Sequence, residues 1–160
     1  MALFSLMIVS CGGYNPDSKS VKICDDANLF CNEHMGIFWS DPSHDEWTWE
    51  EAVDLCNSIG GRLPTISELR TLVKNCSLTL TGGTCEVTDQ CLSSSDCYDE
   101  SVCICEDASD GRYSVFRDTA YFWSLSEESD LDGTFWALFF TDGGVYYDHK
   151  TSKAKVRCVP

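Results

Sequence analysis

Positive charge is scarce in this sequence of 160 residues, which has 11 lysines and arginines against 26 aspartates and glutamates, a formal net charge of −15. A chain this acidic repels polyanions, and the sequence shows no local basic patch that would reverse the effect. Nucleic acid is therefore excluded as an expected partner, and heavily sulfated glycans are disfavoured. Such acidity is otherwise typical of a protein that must stay soluble outside the cytoplasm.

The sequence also lacks an apolar run long enough to span a bilayer. Its most apolar stretch, residues 1–10 (M-A-L-F-S-L-M-I-V-S), is about half the length of a transmembrane helix. This stretch ends at Cys11, and I-V-S-C resembles the lipobox of bacterial lipoproteins, in which the cysteine carries the lipid. We expect residues 1–11 to be a lipoprotein signal peptide with Cys11 as the lipid attachment residue, although its start lacks positive charge. A free or disulfide-bonded Cys11 behind an ordinary signal peptide is the alternative.

Sequence motifs of common hydrolases are missing as well. The three histidines, His34, His44 and His149, are far apart, and neither G-x-S-x-G nor H-E-x-x-H surrounds any of them. A nucleophilic cysteine would have to remain unpaired, yet setting Cys11 aside leaves ten of the 11 cysteines, an even number. We therefore predict that the protein is not an enzyme.

Cysteine itself is abundant, as expected in an oxidising compartment where disulfides persist. We expect up to five disulfides among the ten cysteines that follow Cys11. Cys24 and Cys31 have a spacing that suits a small disulfide loop. The other eight candidates are Cys56, Cys76, Cys85, Cys91, Cys97, Cys103, Cys105 and Cys158.

Residues 76–111 form a cysteine-rich insert with too few large apolar residues to fold by itself. We expect disulfides to hold this insert. A zinc site is the alternative, but the cysteine spacings match no common zinc module. Cys103 and Cys105 are separated by one residue in the C-I-C segment, and we predict different partners for them.

Two capped helices are the strongest pattern in the chain. Each begins with the S/T-x-x-E capping box, at residues 48–51 and again at residues 65–68. The first helix carries an apolar stripe that includes Cys56, and Gly60 and Gly61 end it. The pattern therefore predicts two short helices separated by a glycine corner.

Strand patterns lie on both sides of these helices. Residues 36–39 (G-I-F-W) and 121–125 (Y-F-W-S-L) each predict a strand, and residues 134–140 (T-F-W-A-L-F-F) are apolar on both faces, which is typical of a central strand. The T-D-G-G at residues 141–144 predicts a hairpin turn into V-Y-Y-D. Residues 12–23 are polar and without a period, and we expect a tether there.

Several motifs together resemble the bacterial Lcl C-terminal domain family: W-x-W-E-E-A-x-x-x-C, G-G-R-L-P-T-I-S-E-L-R-T-L-V, the two aromatic strands and the terminal V-R-C-V. The likeness covers roughly residues 39–160. More distantly, the helix with W-x-x-A-x-x-x-C is similar to the superfold shared by C-type lectins and the formylglycine-generating enzyme. In C-type lectins the helix cysteine pairs with the last cysteine of the domain, which implies a Cys56–Cys158 disulfide here. The resemblance implies an α+β, C-type-lectin-like domain over residues 24–160, with two helices packed on a small antiparallel sheet and a disulfide-rich loop insert.

The functional motifs of those distant relatives are absent. Neither E-P-N, Q-P-D nor W-N-D occurs as it does in calcium-dependent lectins, and the R-V-x-R-G-G-S-W segment of the formylglycine-generating enzyme is missing. The namesake of the closer family is an adhesin whose domain recognises polyanionic host glycans, which supports a binding function. The acidity of this chain argues against the same ligand.

One acidic segment resembles part of a calcium loop. Glu128, Asp130, Asp132 and Gly133 copy the first half of an EF-hand, but position 12 is Phe139 rather than glutamate. An ordinary acidic turn is the alternative. We expect no cofactor, with calcium at these three carboxylates as the minor possibility.

Aromatic and polar residues near the last hairpin are the candidate ligand contacts, because tyrosine and tryptophan supply large contact areas at low entropy cost. The candidates are Trp123, Tyr146, Tyr147, Asp148 and His149. We expect a lipid-anchored, non-enzymatic binding or adhesion protein of the bacterial cell envelope, at the outer membrane or cell surface, which recognises a carbohydrate or a protein. A structural or assembly lipoprotein is the alternative, and an enzyme on a formylglycine-generating-like scaffold with replaced residues is the weaker one.

Overall fold

A computed structural model describes Cys24 and residues 28–160 of the chain. The predicted signal peptide at residues 1–11, its Cys11 and the tether at residues 12–23 lie outside the described residues. Within the described part, no helix combines the length and the apolar character needed to cross a bilayer.

The two predicted helices are present, and both start at the predicted caps. Helix α1 spans Trp49–Ser58 after the cap Thr48, and helix α2 spans Ile66–Thr71 after the cap Thr65. In the second cap, the Thr65 hydroxyl accepts from the Glu68 amide at 3.2 Å, and the Glu68 carboxylate accepts from the Thr65 amide at 2.8 Å. Each helix start is therefore fixed by contacts within one turn of chain.

Two antiparallel sheets accompany these helices. The first is a hairpin of β1 (Asn32–His34) and β2 (Ile37–Trp39), the latter being the strand predicted at residues 36–39. The second contains β3 (Tyr121–Glu127), β4 (Thr134–Phe139) and β5 (Gly144–His149) in the order β3-β4-β5. The apolar strand β4 is central, as predicted, and β5 is at an edge.

Alternation along β4 divides the core into two parts. Trp136 and Leu138 face α2 and the cysteine-rich insert, whereas Ala137 faces α1 with Cys56 and Trp123. The register opposite β5 pairs Trp136 with Tyr147 and Ala137 with Tyr146. The architecture is therefore α+β, with a small antiparallel sheet covered on both faces.

Five disulfides join the ten described cysteines. Cys56 on α1 is bonded to Cys158, the pairing that the resemblance implied, and Cys24 is bonded to Cys31. The insert contains the bridges Cys76–Cys105, Cys85–Cys103 and Cys91–Cys97. Cys103 and Cys105 thus have different partners, and no described thiol is free to ligate zinc.

The insert wraps around one buried cation. Arg70 of α2 is 3% exposed, and its guanidinium donates to the carbonyl oxygens of Thr79 at 2.8 Å, Leu80 at 3.2 Å and Val87. Burial lowers the pKa of Arg70. The insert also contains two short helices that the sequence did not predict, α3 (Ser94–Cys97) and α4 (Glu100–Cys103).

Candidate functional site

Trp123, a predicted ligand contact, is buried. Its side chain is 0% exposed, and its indole Nε1 donates to the Trp47 carbonyl oxygen at 2.8 Å. It packs in the core between β3 and α1 with Ala52 and Cys56. Trp123 therefore presents no surface to a ligand.

The two predicted tyrosines lie on opposite faces of β5, because neighbouring residues of a strand alternate. Tyr146 is partly buried beside the rings of Tyr121 at 6.1 Å and Phe139 at 6.4 Å. Its hydroxyl donates to the carboxylate of Asp142. Tyr147 is 36% exposed on the other face. The prediction treated these tyrosines as one group, and the structure separates them.

Tyr147 is held in place by two other aromatic rings. The Trp136 ring lies 5.2 Å from it at an interplanar angle of 80°, and the Tyr98 ring lies 5.6 Å from it at 81°. Tyr98 and Trp136 are also in contact, at 5.9 Å. Three rings thus contact one another pairwise, with Trp136 fully buried and Tyr147 at the surface.

Asp148 and His149 complete the exposed half of β5. The Asp148 carboxylate accepts from the Ser152 hydroxyl at 2.8 Å, and Nδ1 of His149 lies 2.9 Å from the Thr151 hydroxyl. Strand alternation places His149 on the face of Tyr147, and Asp148 on the face of Tyr146. The predicted residues therefore divide into two pairs, one on each side of the sheet.

Sequence reasoning missed Tyr98, a partly buried residue that the insert places between α3 and α4 and against Tyr147. Burial, together with the nearby carboxylate of Glu100, raises the pKa of Tyr98 to about 12, so its phenol stays protonated in neutral solution. A signal was available in the sequence, because Tyr98 is the one aromatic residue among residues 76–111. We call Tyr98, Tyr147 and His149 the tyrosine surface.

The charge beside the tyrosine surface is strongly negative. Residues 76–111 contain eight acidic residues and no lysine or arginine. All eight are exposed: Glu86, Asp89, Asp96, Asp99, Glu100, Glu106, Asp107 and Asp110. Asp99 and Glu100 follow Tyr98 directly, and burial raises the pKa of the nearby Asp142. The tyrosine surface is therefore flanked by carboxylates on the side of the insert.

The predicted calcium segment serves as a structural contact. The Glu128 carboxylate is 1% exposed and accepts from the amides of Ser94 at 2.7 Å and Asp130 at 3.0 Å. Asp130 in turn accepts from the Ser95 amide at 2.9 Å, whereas Asp132 is exposed. Residues 28–160 and Cys24 contain no cluster of three side chains arranged to hold a metal ion. These contacts join the β3–β4 connection to α3, and calcium binding stays a prediction.

The three histidines lie on different elements. Nε2 of His34, on β1, is 3.0 Å from the Thr71 carbonyl oxygen at the end of α2. His44 is in the loop before α1, where its Nδ1 lies 3.3 Å from Asp45, and its side chain is almost fully exposed. His149 is on β5. Each histidine has a different hydrogen-bond partner.

Of three comparisons with known proteins, one gave a match. No curated protein and no solved structure matches the chain. The family model described as the Lcl C-terminal domain matches residues 28–160, which include both capped helices, the cysteine-rich insert and the three-stranded sheet. Because this match covers most of the sequence, the chain belongs to the Lcl C-terminal domain family.

Proposed function

We propose that the protein is a non-enzymatic binding domain of the bacterial cell envelope, whose carbohydrate or protein ligand docks on the tyrosine surface. The observation that carries the proposal is the environment of Tyr147, which is 36% exposed and yet contacts two other rings, those of Trp136 and Tyr98. A large exposed aromatic side chain in a fixed position is a common element of recognition sites.

The fixed position matters because binding must offset the entropy lost when interface side chains become ordered. A tyrosine has only two side-chain torsions, and the perpendicular contacts of Tyr147 with Trp136 and Tyr98 already restrict them. Its ring is thus positioned before a ligand arrives. Such a ring can stack on the apolar face of a sugar or on a protein side chain.

Disulfides fix the other side of the tyrosine surface. Tyr98 directly follows Cys97, which is bonded to Cys91, and the Cys85–Cys103 bridge closes the chain on both sides of it. The insert therefore holds Tyr98 without a large core of its own. In this proposal the disulfides keep the Tyr98 ring in a fixed position relative to the Tyr147 ring.

A C-type-lectin-like arrangement is part of the proposal. It is supported by the Cys56–Cys158 bridge, which ties the first capped helix to the C-terminal segment, and by the small antiparallel sheet. The calcium-dependent sugar motifs of lectins are absent from the sequence, so recognition would rest on aromatic stacking and hydrogen bonds rather than on a chelated ion.

The proposed location depends on a lipid at Cys11. We expect labelled palmitate to be incorporated into the wild-type protein in a bacterial host and to be lost in Cys11→Ser. Equal labelling of both proteins would remove the lipid anchor from the proposal, and it would leave the binding function untouched.

The binding function is tested with Tyr147→Ala on a glycan array and in co-purification from envelope extracts. The matched control is Phe38→Ala, because Phe38 is an exposed aromatic residue on β2, at 49%. We expect Tyr147→Ala to lower the affinity for the captured ligand about tenfold or more, and Phe38→Ala to leave that affinity unchanged. Capture that is equal in both variants would contradict the proposal. A blank array together with an envelope protein whose capture does not need Tyr147 would favour a structural or assembly role.

A further inference from the structure

We propose that the partner of the tyrosine surface is a cationic polypeptide segment, whose lysine or arginine side chains lie over Tyr98 and Tyr147. This inference rests on the proposed function and names the chemistry of its ligand. It predicts the opposite charge preference to the polyanionic glycans implied by the family resemblance.

Charge complementarity is the first argument. The insert that supplies Tyr98 has eight exposed carboxylates and no cation of its own, so none of its charge is neutralised within residues 76–111. Asp99 and Glu100 adjoin Tyr98, and both are exposed. A cation approaching this side gains attraction from several carboxylates at once, whereas a sulfate or carboxylate group meets repulsion.

The aromatic rings supply the second argument. A lysine ammonium or arginine guanidinium is attracted to the face of a tyrosine ring when it lies within about 6 Å of the ring centre. The ring planes of Tyr98 and Tyr147 meet at 81°, so their faces point in two directions about one corner. Nearby carboxylates and ring faces together fit a positively charged side chain with an apolar stem.

The sheet edge favours a polypeptide over a small cation. In the order β3-β4-β5, strand β5 is paired with a neighbour on one side only within the described sheet. Val145 is buried, but Tyr147, Asp148 and His149 in the second half of the strand are exposed. The His149 main chain is already bonded, its amide to the Asp148 carboxylate at 2.7 Å and its carbonyl oxygen to the Ser152 amide at 2.8 Å. An extended segment can therefore lie along this edge at Tyr147, with its side chains reaching the rings on the adjacent face.

The test measures fluorescence anisotropy of labelled peptides with the purified full chain. The probe is an octapeptide of alternating lysine and threonine, and the comparison peptides carry glutamate or glutamine in place of lysine. We expect the lysine peptide to bind about tenfold more tightly than the glutamine peptide, and the glutamate peptide not to bind. Raising the salt concentration should weaken binding of the lysine peptide, because salt screens the exposed charges.

Variants separate a defined site from general attraction to an acidic protein. Tyr147→Ala and Glu100→Gln should each lower the affinity for the lysine peptide about fivefold or more. Asp54→Asn, which removes an exposed carboxylate on α1, should leave that affinity unchanged. Equal losses in Glu100→Gln and Asp54→Asn would overturn the inference. So would a preference for the glutamine peptide.

The outcomes also separate this inference from the proposed function. A neutral glycan that binds through Tyr147 while the lysine peptide shows no preference overturns the inference and keeps the function. If no ligand loses affinity in Tyr147→Ala, both the inference and the proposed function are overturned. A chitosan oligosaccharide that displaces the lysine peptide and binds as tightly would overturn the assignment to a polypeptide.

Discussion

Arg157 and Asp118 form a two-bond ion pair inside the protein, with distances of 2.8 Å from Nη2 to Oδ1 and 2.9 Å from Nε to Oδ2. Their side chains are 3% and 7% exposed. The Arg157 guanidinium also donates to the Ser40 carbonyl oxygen at 2.6 Å and lies 4.8 Å from the Phe116 ring centre. One side chain therefore joins the C-terminal segment to the loop before β3 and to the end of the β1–β2 hairpin.

We predict that Asp118→Asn lowers the free energy of unfolding by about 3–5 kcal/mol, because the change leaves a buried guanidinium without its counter-charge. Urea denaturation measures this loss. The control is Asp110→Asn, which breaks the exposed Asp110–Arg112 pair and should cause no detectable change. Similar results for the two variants would show that burial does not govern the strength of these pairs.

The long disulfide should contribute more stability than the short one. Cys56–Cys158 spans 102 residues and Cys24–Cys31 spans 7. In the chain-entropy account, removal costs about 4–5 kcal/mol for the first and about 2 kcal/mol for the second. We predict this order for the two double alanine variants in urea denaturation, since each removes both thiols. The reverse order would contradict the chain-entropy account for this protein.

Arg70 should control the order of the insert. Arg70→Met leaves the carbonyl oxygens of Thr79, Leu80 and Val87 without the donor that now satisfies them, and we predict a loss of about 2–4 kcal/mol. Limited proteolysis should then cut within residues 76–111 faster than in the wild type. Arg117→Met, at an exposed position, is the control. Unchanged proteolysis in Arg70→Met would mean that the disulfides alone order the insert.

The stability of the last hairpin should depend on pH through Asp142. Burial raises the pKa of Asp142, although hydrogen bonds from the Tyr146 hydroxyl and the Gly144 amide oppose the change. Because the folded pKa is above the unfolded one, the stability from this group is present at low pH. It is lost as the pH rises from the unfolded to the folded pKa.

Asp142→Asn removes this titration and keeps an oxygen acceptor for the Gly144 amide. We predict that the free energy of unfolding of the variant, relative to that of the wild type, increases as the pH is raised from the unfolded pKa of an aspartate, about 3.9, towards neutral. Urea denaturation across this range measures the difference. A difference that stays constant with pH would contradict the assignment, and Asp54→Asn on the surface of α1 serves as the control.

Local rules account for the parts of the fold that the sequence predicted. The caps Thr48 and Thr65 fix the starts of α1 and α2 through contacts within one turn, and β4 is central because its residues are apolar on both faces. The pairings within the insert were not predictable, because six cysteines allow 15 connectivities. The bridges lie beside contacts between residues distant in sequence, such as those of Arg70 with the insert backbone, which no local rule indicates.

The candidate site was predictable only in part. Tyr147 and His149 are exposed, but Trp123 is buried, and the Trp47 carbonyl oxygen accepts from its indole in the core. Separation of Tyr146 from Tyr147 follows from strand alternation, which the sequence pattern already contained. Tyr98 reaches the surface by a path that the disulfides determine, and no local rule indicates that path.

Several contacts between the insert and the rest of the protein involve the main chain of the insert. Arg70 bonds to carbonyl oxygens, the Trp136 indole donates to the Leu92 carbonyl oxygen at 3.0 Å, and Glu128 accepts from the Ser94 amide. Main-chain partners are the same for almost any amino acid. The exposed side chains between Cys85 and Cys103 can therefore be exchanged, in evolution or by loop grafting, to give new binding preferences, provided that the Cys91–Cys97 bridge and the buried Val87 are kept.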